Sequence, residues 1–144
     1  FSGTLVASDD LIQITFGDVV DCPTPKKFGI LSGDHLMERL SLFEGIELVA
    51  FLVSGVDGIL AHPPMDNQKQ ELLKKWDLNM AFEGHHQSAV DVTGGIGLKA
   101  ACGARIANSG IPVWIINGDK PQRLLELAQT GETIGTQIIA AQSV

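Results

Sequence analysis

Asp91-Val92-Thr93-Gly94-Gly95, followed four residues later by Lys99, sets a carboxylate, a hydroxyl, two glycines and a cation at the start of a predicted helix. Glycines let backbone N–H groups approach an anion closely, and a helix N-terminus favours negative charge. A lysine one turn further on can reach back to the same anion. The chemistry this suits is phosphate binding. Phosphoryl transfer, which needs charge neutralisation more than a covalent nucleophile, is within its reach.

Three further segments carry glycine beside a polar side chain. Ser32-Gly33-Asp34 precedes a helical pattern. Ser and Asp there serve as an N-cap, or Gly33 opens its amide to a phosphate while Asp34 orients a lysine. Ser54-Gly55-Val56-Asp57-Gly58 follows an apolar run. It reads as a turn, or as a nucleotide-binding loop with Asp57 and the backbone facing ribose or phosphate. Gly17-Asp18 is the shortest of the set. His85-His86 has no Cys or carboxylate at a ligand spacing, so no metal site is expected. His35 lies beside Asp34, and Trp76 and Trp114 read as packing residues.

The elements that would position these groups follow from apolar patterning. Residues 11–16, 28–31, 47–53, 111–116 and 134–140 read as strands or short apolar runs. Residues 34–44 place Leu36, Met37, Leu40 and Phe43 on one helical face, and residues 96–108 form an alanine-rich helical stretch stopped by Gly110. Residues 68–76 predict a short helix, 77–90 an irregular excursion, and Pro121 the first turn of a helix ending before Gly131. Strands separated by helices predict an α/β sheet with parallel crossovers, in one domain spanning 1–144. In such a sheet ligands bind beyond the carboxyl ends of the strands.

Composition narrows the partners. The 144 residues carry 10 Lys+Arg against 17 Asp+Glu, a net charge of −7, with only three arginines. That balance lacks the basic footprint of a nucleic-acid binder but leaves room for one lysine and oriented amides to hold a small anion. Cys22 and Cys102 are far apart and read as free thiols of a reducing, cytoplasmic protein. No apolar run is long enough to span a bilayer. Phe1 in place of an initiator Met suggests a piece of a longer chain.

Taken in order, the motifs resemble the amino-acid kinase superfamily, most closely its isopentenyl phosphate kinase branch. The matching stretches are Gly17-Asp18-Val19-Val20, Gly29 to Asp34, Val56-Asp57-Gly58-Ile59, Asp91 to Gly95 with Lys99, Ile116-Asn117-Gly118, and Gly135-Thr136. The resemblance implies a three-layer α/β/α sandwich with a mostly parallel sheet. It implies transfer of the γ-phosphoryl of ATP, with Mg²⁺, to a small phosphate acceptor, with isopentenyl phosphate first. Fosfomycin and uridylate kinases are similar relatives, and a non-catalytic nucleotide-binding module is the alternative from another class. Carried over by position, Asp34 resembles the aspartate that organises catalytic lysines, and Lys99 the lysine that stabilises the transferred phosphoryl. Ser54, Val56, Asp57, Gly58, Thr93, Gly94 and Gly95 resemble nucleotide contacts, together with Lys99. Gly17, Asp18, Ser32 and Gly33 fall on the acceptor side. Homodimers are common in the superfamily, and one is an expectation here.

Two departures accompany the resemblance. Ser54-Gly55 stands where the family pattern has Thr-Asp, so one carboxylate is lost. The match is to the C-terminal half of such kinases. The Lys-x-Gly-Gly segment and second glycine loop of their N-terminal half do not occur in these 144 residues. The chain is therefore expected to carry the nucleotide side of a kinase site and to be incomplete for catalysis alone.

Overall fold

The computed structural model describes residues 12–62, 70–80 and 95–141. Their elements in order are β1 (Asp18–Asp21), β2 (Phe28–Leu31), α1 (Gly33–Leu40), β3 (Val49–Val53), β4 (Lys75–Trp76), α2 (Gly95–Asn108), β5 (Val113–Asn117), α3 (Gln122–Thr130) and β6 (Gly135–Ile138). β1 and β2 form an antiparallel hairpin, and the other four strands form a sheet of order β3-β5-β6-β4.

β5, Val-Trp-Ile-Ile-Asn, is buried at every position. Such a continuous apolar run suits a strand covered on both faces. Val113 and Ile115 pack with Val49, Phe51 and the small residues Ala100, Cys102 and Ala104 of α2. On the opposite face Trp114 and Ile116 pack against Leu127 of α3. Helices thus cover both sides of the sheet, as a three-layer sandwich requires, with α1 packed against α2. Gly103 lets α2 lie close: a Cβ there would meet Val113 Cγ1 at 3.2 Å.

β3 runs parallel to β5, and β4 parallel to β6, but β6 runs antiparallel to β5. Two of the three pairings are parallel, as the expected mostly parallel sheet requires, and the β5–β6 pairing is the antiparallel exception. Ile116, near the end of β5, faces Gly135, the first residue of β6. α3 therefore returns the chain to the strand end it left, after a left-handed cap at Gly131 (φ +77°). Gly135 makes the return possible, because a Cβ there would stand 2.7 Å from Ile116 Cγ2 and 2.8 Å from the Ile115 carbonyl.

Two other expected elements change. Residues 12–16 form no strand; Ile12 and Ile14 are 94% and 91% exposed. The paired strand instead begins after Gly17, at Asp18, where Val19 faces Ile30. The short helix expected at 68–76 is absent from its described part. Leu72 bridges Leu60, the Leu73 N–H bonds the Ile59 carbonyl, and Lys75–Trp76 joins β6. Burial of Trp76 in the sheet core outweighs the weak helical pattern. Of the irregular stretch expected at 77–90, residues 77–80 form a turn and the rest lies outside the described residues.

Thr136 joins this sheet to the loop after β3. Its buried hydroxyl accepts from the Ile59 N–H at 2.8 Å and donates to the Leu73 carbonyl at 2.6 Å. Thr136→Val keeps the shape but strands a buried donor and a buried acceptor. It is expected to lower the unfolding free energy by about 2 kcal/mol, read from urea denaturation.

Candidate active site

α1 leads into β3 and α2 leads into β5, and these two strands are parallel. Both helices therefore begin beside the carboxyl ends of β3 and β5, where the loops after those strands also lie. Four separate segments of sequence converge there: the start of α1, residues 54–58, the start of α2, and residues 117–120.

Ser32 caps α1, its hydroxyl accepting from the His35 N–H at 3.3 Å. The cap sets the helix start so that Asp34, in its first turn, points inward. Asp34 is only 6% exposed. Its two carboxylate oxygens accept from Lys99 Nζ at 2.9 and 3.1 Å, across 65 residues of sequence. A carboxylate this buried needs such a partner. Lys99 sits just over one turn into α2, and the pair lines a cleft of about 240 Å³ with Phe16, Gly33 and Leu52. The pair leaves the ammonium held in place at the cleft wall with a proton donor to spare.

Gly17 lies against the same helix start. A Cβ there would collide with the Leu31 carbonyl and stand 3.0 Å from the Gly33 amide nitrogen. The glycine thus brings the strand entering the hairpin onto α1. Asp18 is exposed, its carboxylate accepting from the Val19 N–H at 2.7 Å. His35 hydrogen-bonds Ser32 Oγ through Nδ1 and lines a second, larger cleft of about 490 Å³ with Glu38, Arg39 and Arg105. The two clefts share no lining residue.

The loop at 54–58 is held by side chains from beyond β5. Ser54 Oγ donates to the Asp119 carboxylate at 2.9 and 3.1 Å, and the Gly55 N–H donates to it at 2.8 Å. Gly55 takes a left-handed φ of +76° with open space around it. Val56 and Asp57 are half-buried, and Gly58 is buried against Thr136. Asp57 accepts from Asn117 Nδ2 at 2.9 Å and Lys120 Nζ at 3.1 Å, and forms an ion pair with Arg123 Nη1 at 2.7 Å. Arg123, then Asn117 and Lys120, hold its carboxyl well below the usual carboxylate range. Asp119 is also lowered, first by the Gly55 N–H and then by Ser54.

The sequence-predicted residues thus divide. Asp34 and Lys99 come together, and Gly17, Ser32 and Gly33 lie at the same helix start. Ser54 and Asp57 use their polar atoms on protein partners, so in this state the loop is tied down rather than open-handed. Gly95 opens α2 with φ +54°, while Thr93 and Gly94 lie outside the described residues, as do His85 and His86. Asn117, Asp119, Lys120 and Arg123 were not singled out as site residues. Asn117-Gly118 reads locally as a turn, and nothing nearby in the chain reveals partners 60 or more residues away. Among the described residues no cluster of three or more His, Cys, Asp or Glu could hold a metal ion. Asp34 and Asp57 are paired with cations. Cys102 is a buried free thiol pushed up to about 11 by its burial, and no described helix is long and apolar enough to cross a membrane.

The depressed Asp57 carboxyl has a pH signature. A group lowered on folding stabilises the fold above its unfolded value, near 4, and loses that contribution as pH falls toward its folded value. Asp57→Asn is expected to make the fall in urea midpoint between about pH 4 and pH 2.5 shallower than in the parent. With the side chain one-third exposed, the difference is modest.

With this geometry in hand, likeness to known proteins is informative. Residues 3–117 match the sequence model of the amino acid kinase family. A curated isopentenyl phosphate kinase from Thermoplasma acidophilum is 32% identical over 128 residues, 88% of this chain and 50% of the relative. The crystal structure of the T. acidophilum isopentenyl phosphate kinase product complex superposes with a TM-score of 0.61 at 29% identity, over 85% of this chain and 45% of that one. An isopentenyl phosphate kinase substrate complex gives a TM-score of 0.63 at 29% identity, over 85% and 46%. The chain spans about half the length of the relatives it matches.

Proposed function

The chain belongs to the amino acid kinase family, and from that premise we propose that it forms the nucleotide side of an ATP-dependent phosphotransferase acting on a small phosphate acceptor, isopentenyl phosphate in the first instance. The observation that carries the reading is the Asp34–Lys99 pair at the carboxyl edge of the parallel strands. In this reading an acceptor phosphate oxygen attacks the γ-phosphorus of ATP, the bond to the bridging oxygen breaks, and ADP leaves with the electron pair. Lys99 neutralises charge on the equatorial oxygens of the transferred group, and Asp34 fixes where the ammonium stands. Gly33 and Gly17 border the acceptor side, with Ser32 and Asp18 beside them. The loop at 54–58 and the start of α2, with Thr93, Gly94 and Gly95, face the nucleotide. Magnesium would arrive as a companion of the nucleotide phosphates, since Asp34 and Asp57 are committed to Lys99 and to Arg123 and Lys120.

Support for the acceptor comes from the relatives, which are isopentenyl phosphate kinases by name. A panel of isopentenyl phosphate, fosfomycin and UMP, offered to this chain together with the N-terminal half that its relatives carry and with ADP formation as readout, tests it; ADP formed with another acceptor but not with isopentenyl phosphate sinks the assignment. A second reading, a nucleotide-binding module without catalysis, is favoured by the half-length match. It predicts ATP binding with no acceptor-dependent ADP from any member of the panel.

Lys99→Ala is expected to lower kcat about 10²–10³-fold in a preparation active on the panel, the scale of losing one charge-stabilising donor. A variant with undiminished kcat would refute the role given to Lys99.

A further inference from the structure

The loop at 54–58 contains no helix or strand and includes two glycines at positive φ, Gly55 and Gly58. Its conformation is therefore set by what its side chains and amides bond to. Three attachments hold it. Thr136 Oγ1 takes the Ile59 N–H at its end, and Arg123, Lys120 and Asn117 take Asp57 in its middle. At its start Asp119 takes both the Ser54 hydroxyl and the Gly55 N–H.

The carboxylate is itself oriented. Asn117, buried at the end of β5, accepts from the Asp119 N–H at 2.9 Å through Oδ1 and donates to Asp57 through Nδ2 at 2.9 Å. One amide therefore sets the positions of both carboxylates that grip the loop. Gly118 fits because a Cβ would press on Leu52 at 3.2 Å, and its N–H bonds the Val53 carbonyl at 2.8 Å. The turn after β5 is thus fastened to the end of β3, and Asp119 projects from it onto the next two residues of the loop.

We propose that Asp119 is a positioning residue for nucleotide binding, holding Ser54 and Gly55 so that the loop at 54–58 keeps the shape that meets the nucleotide. The proposal rests on the reading of this loop as a nucleotide contact. Asp119 touches neither phosphate nor acceptor in this account; it acts through Ser54 and Gly55. Without it the first two loop residues lose their only hydrogen bonds to the β5–α3 turn among the described residues. Gly55, free of a Cβ, then gains backbone conformations that the bound loop must give up.

The test is isothermal titration of MgATP into the parent protein and into Asp119→Ala, Asp119→Asn, Ser54→Ala and the double variant Ser54→Ala/Asp119→Ala, with unfolding midpoints alongside. Asp119→Ala is expected to weaken ATP binding about three- to tenfold, the scale of losing one or two net hydrogen bonds that order the loop. Asp119→Asn keeps an acceptor oxygen for the Gly55 N–H and is expected to recover most of the affinity. The double variant is expected to bind no worse than Asp119→Ala within about twofold, because both changes break one linkage. Unfolding midpoints stay at the parent value, since the carboxylate is solvent-exposed. An Asp119→Ala affinity within twofold of a parent that binds ATP overturns the proposal and leaves the nucleotide reading standing. Fully additive losses in the double variant overturn it too. A parent that does not bind ATP removes the nucleotide reading and the proposal together.

Discussion

Complete burial of β5 is the constraint on which the other features depend. Its backbone bonds β3 on one side and β6 on the other, and its side chains alternate between two apolar layers. Val113 and Ile115 need α2 above them, and Trp114 and Ile116 need α3 below. A strand with no exposed position fixes the layers, the sheet order around it, and the edge at which both flanking helices meet it. It also ends in a polar residue, Asn117, that must satisfy its amide while buried. Its partners, Asp57 and the Asp119 backbone, are what fasten the loops at the functional edge.

From that edge, the chemistry follows from a division of labour between carboxylates. Asp34 holds Lys99 at a cleft wall, Asp57 is neutralised by Arg123 and Lys120, and Asp119 meets only neutral donors of the loop. An acidic chain with net charge −7 can present a cation to a phosphate only if its nearby carboxylates are committed in this way. Positive groups are few here, and the ion pairs at the edge hold Lys99, Lys120 and Arg123 in place. Membership of the amino acid kinase family and the half-length match to isopentenyl phosphate kinases fit the proposal that the chain supplies one wall of a phosphoryl-transfer site.

Much of this arrangement is legible in the amino-acid sequence. The helical face of Leu36, Met37 and Leu40, the alanine-rich run of α2 with Gly110 beyond it (φ +91°), the apolar strands β3 and β5, and the Gly131 stop of α3 all stand close to where local pattern puts them, whereas Phe43, expected on the same face of α1, lies beyond the helix end and is exposed. Each is decided by periodicity or by a residue's own backbone freedom, which are properties of short windows. Where pattern failed, a distant partner decided. Residues 12–16 alternate like a strand but form none, the hairpin starting instead where Val19 meets Ile30, and 72–76 become extended because Ile59, Leu60 and β6 claim them.

Local pattern along the chain placed α1, α2, α3, β2, β3, β5 and β6, and it marked Asp34 and Lys99 as residues whose chemistry suits one another. It could not say that they touch, that β6 turns back antiparallel to β5, or that Ser54 and Gly55 close on Asp119. Those facts join residues about 20 to 65 positions apart. Spacing along a chain constrains neighbours within a turn or a pleat, whereas contacts across a sheet edge exist only after the layers have packed. Only the tertiary structure decided which carboxylate faces which cation.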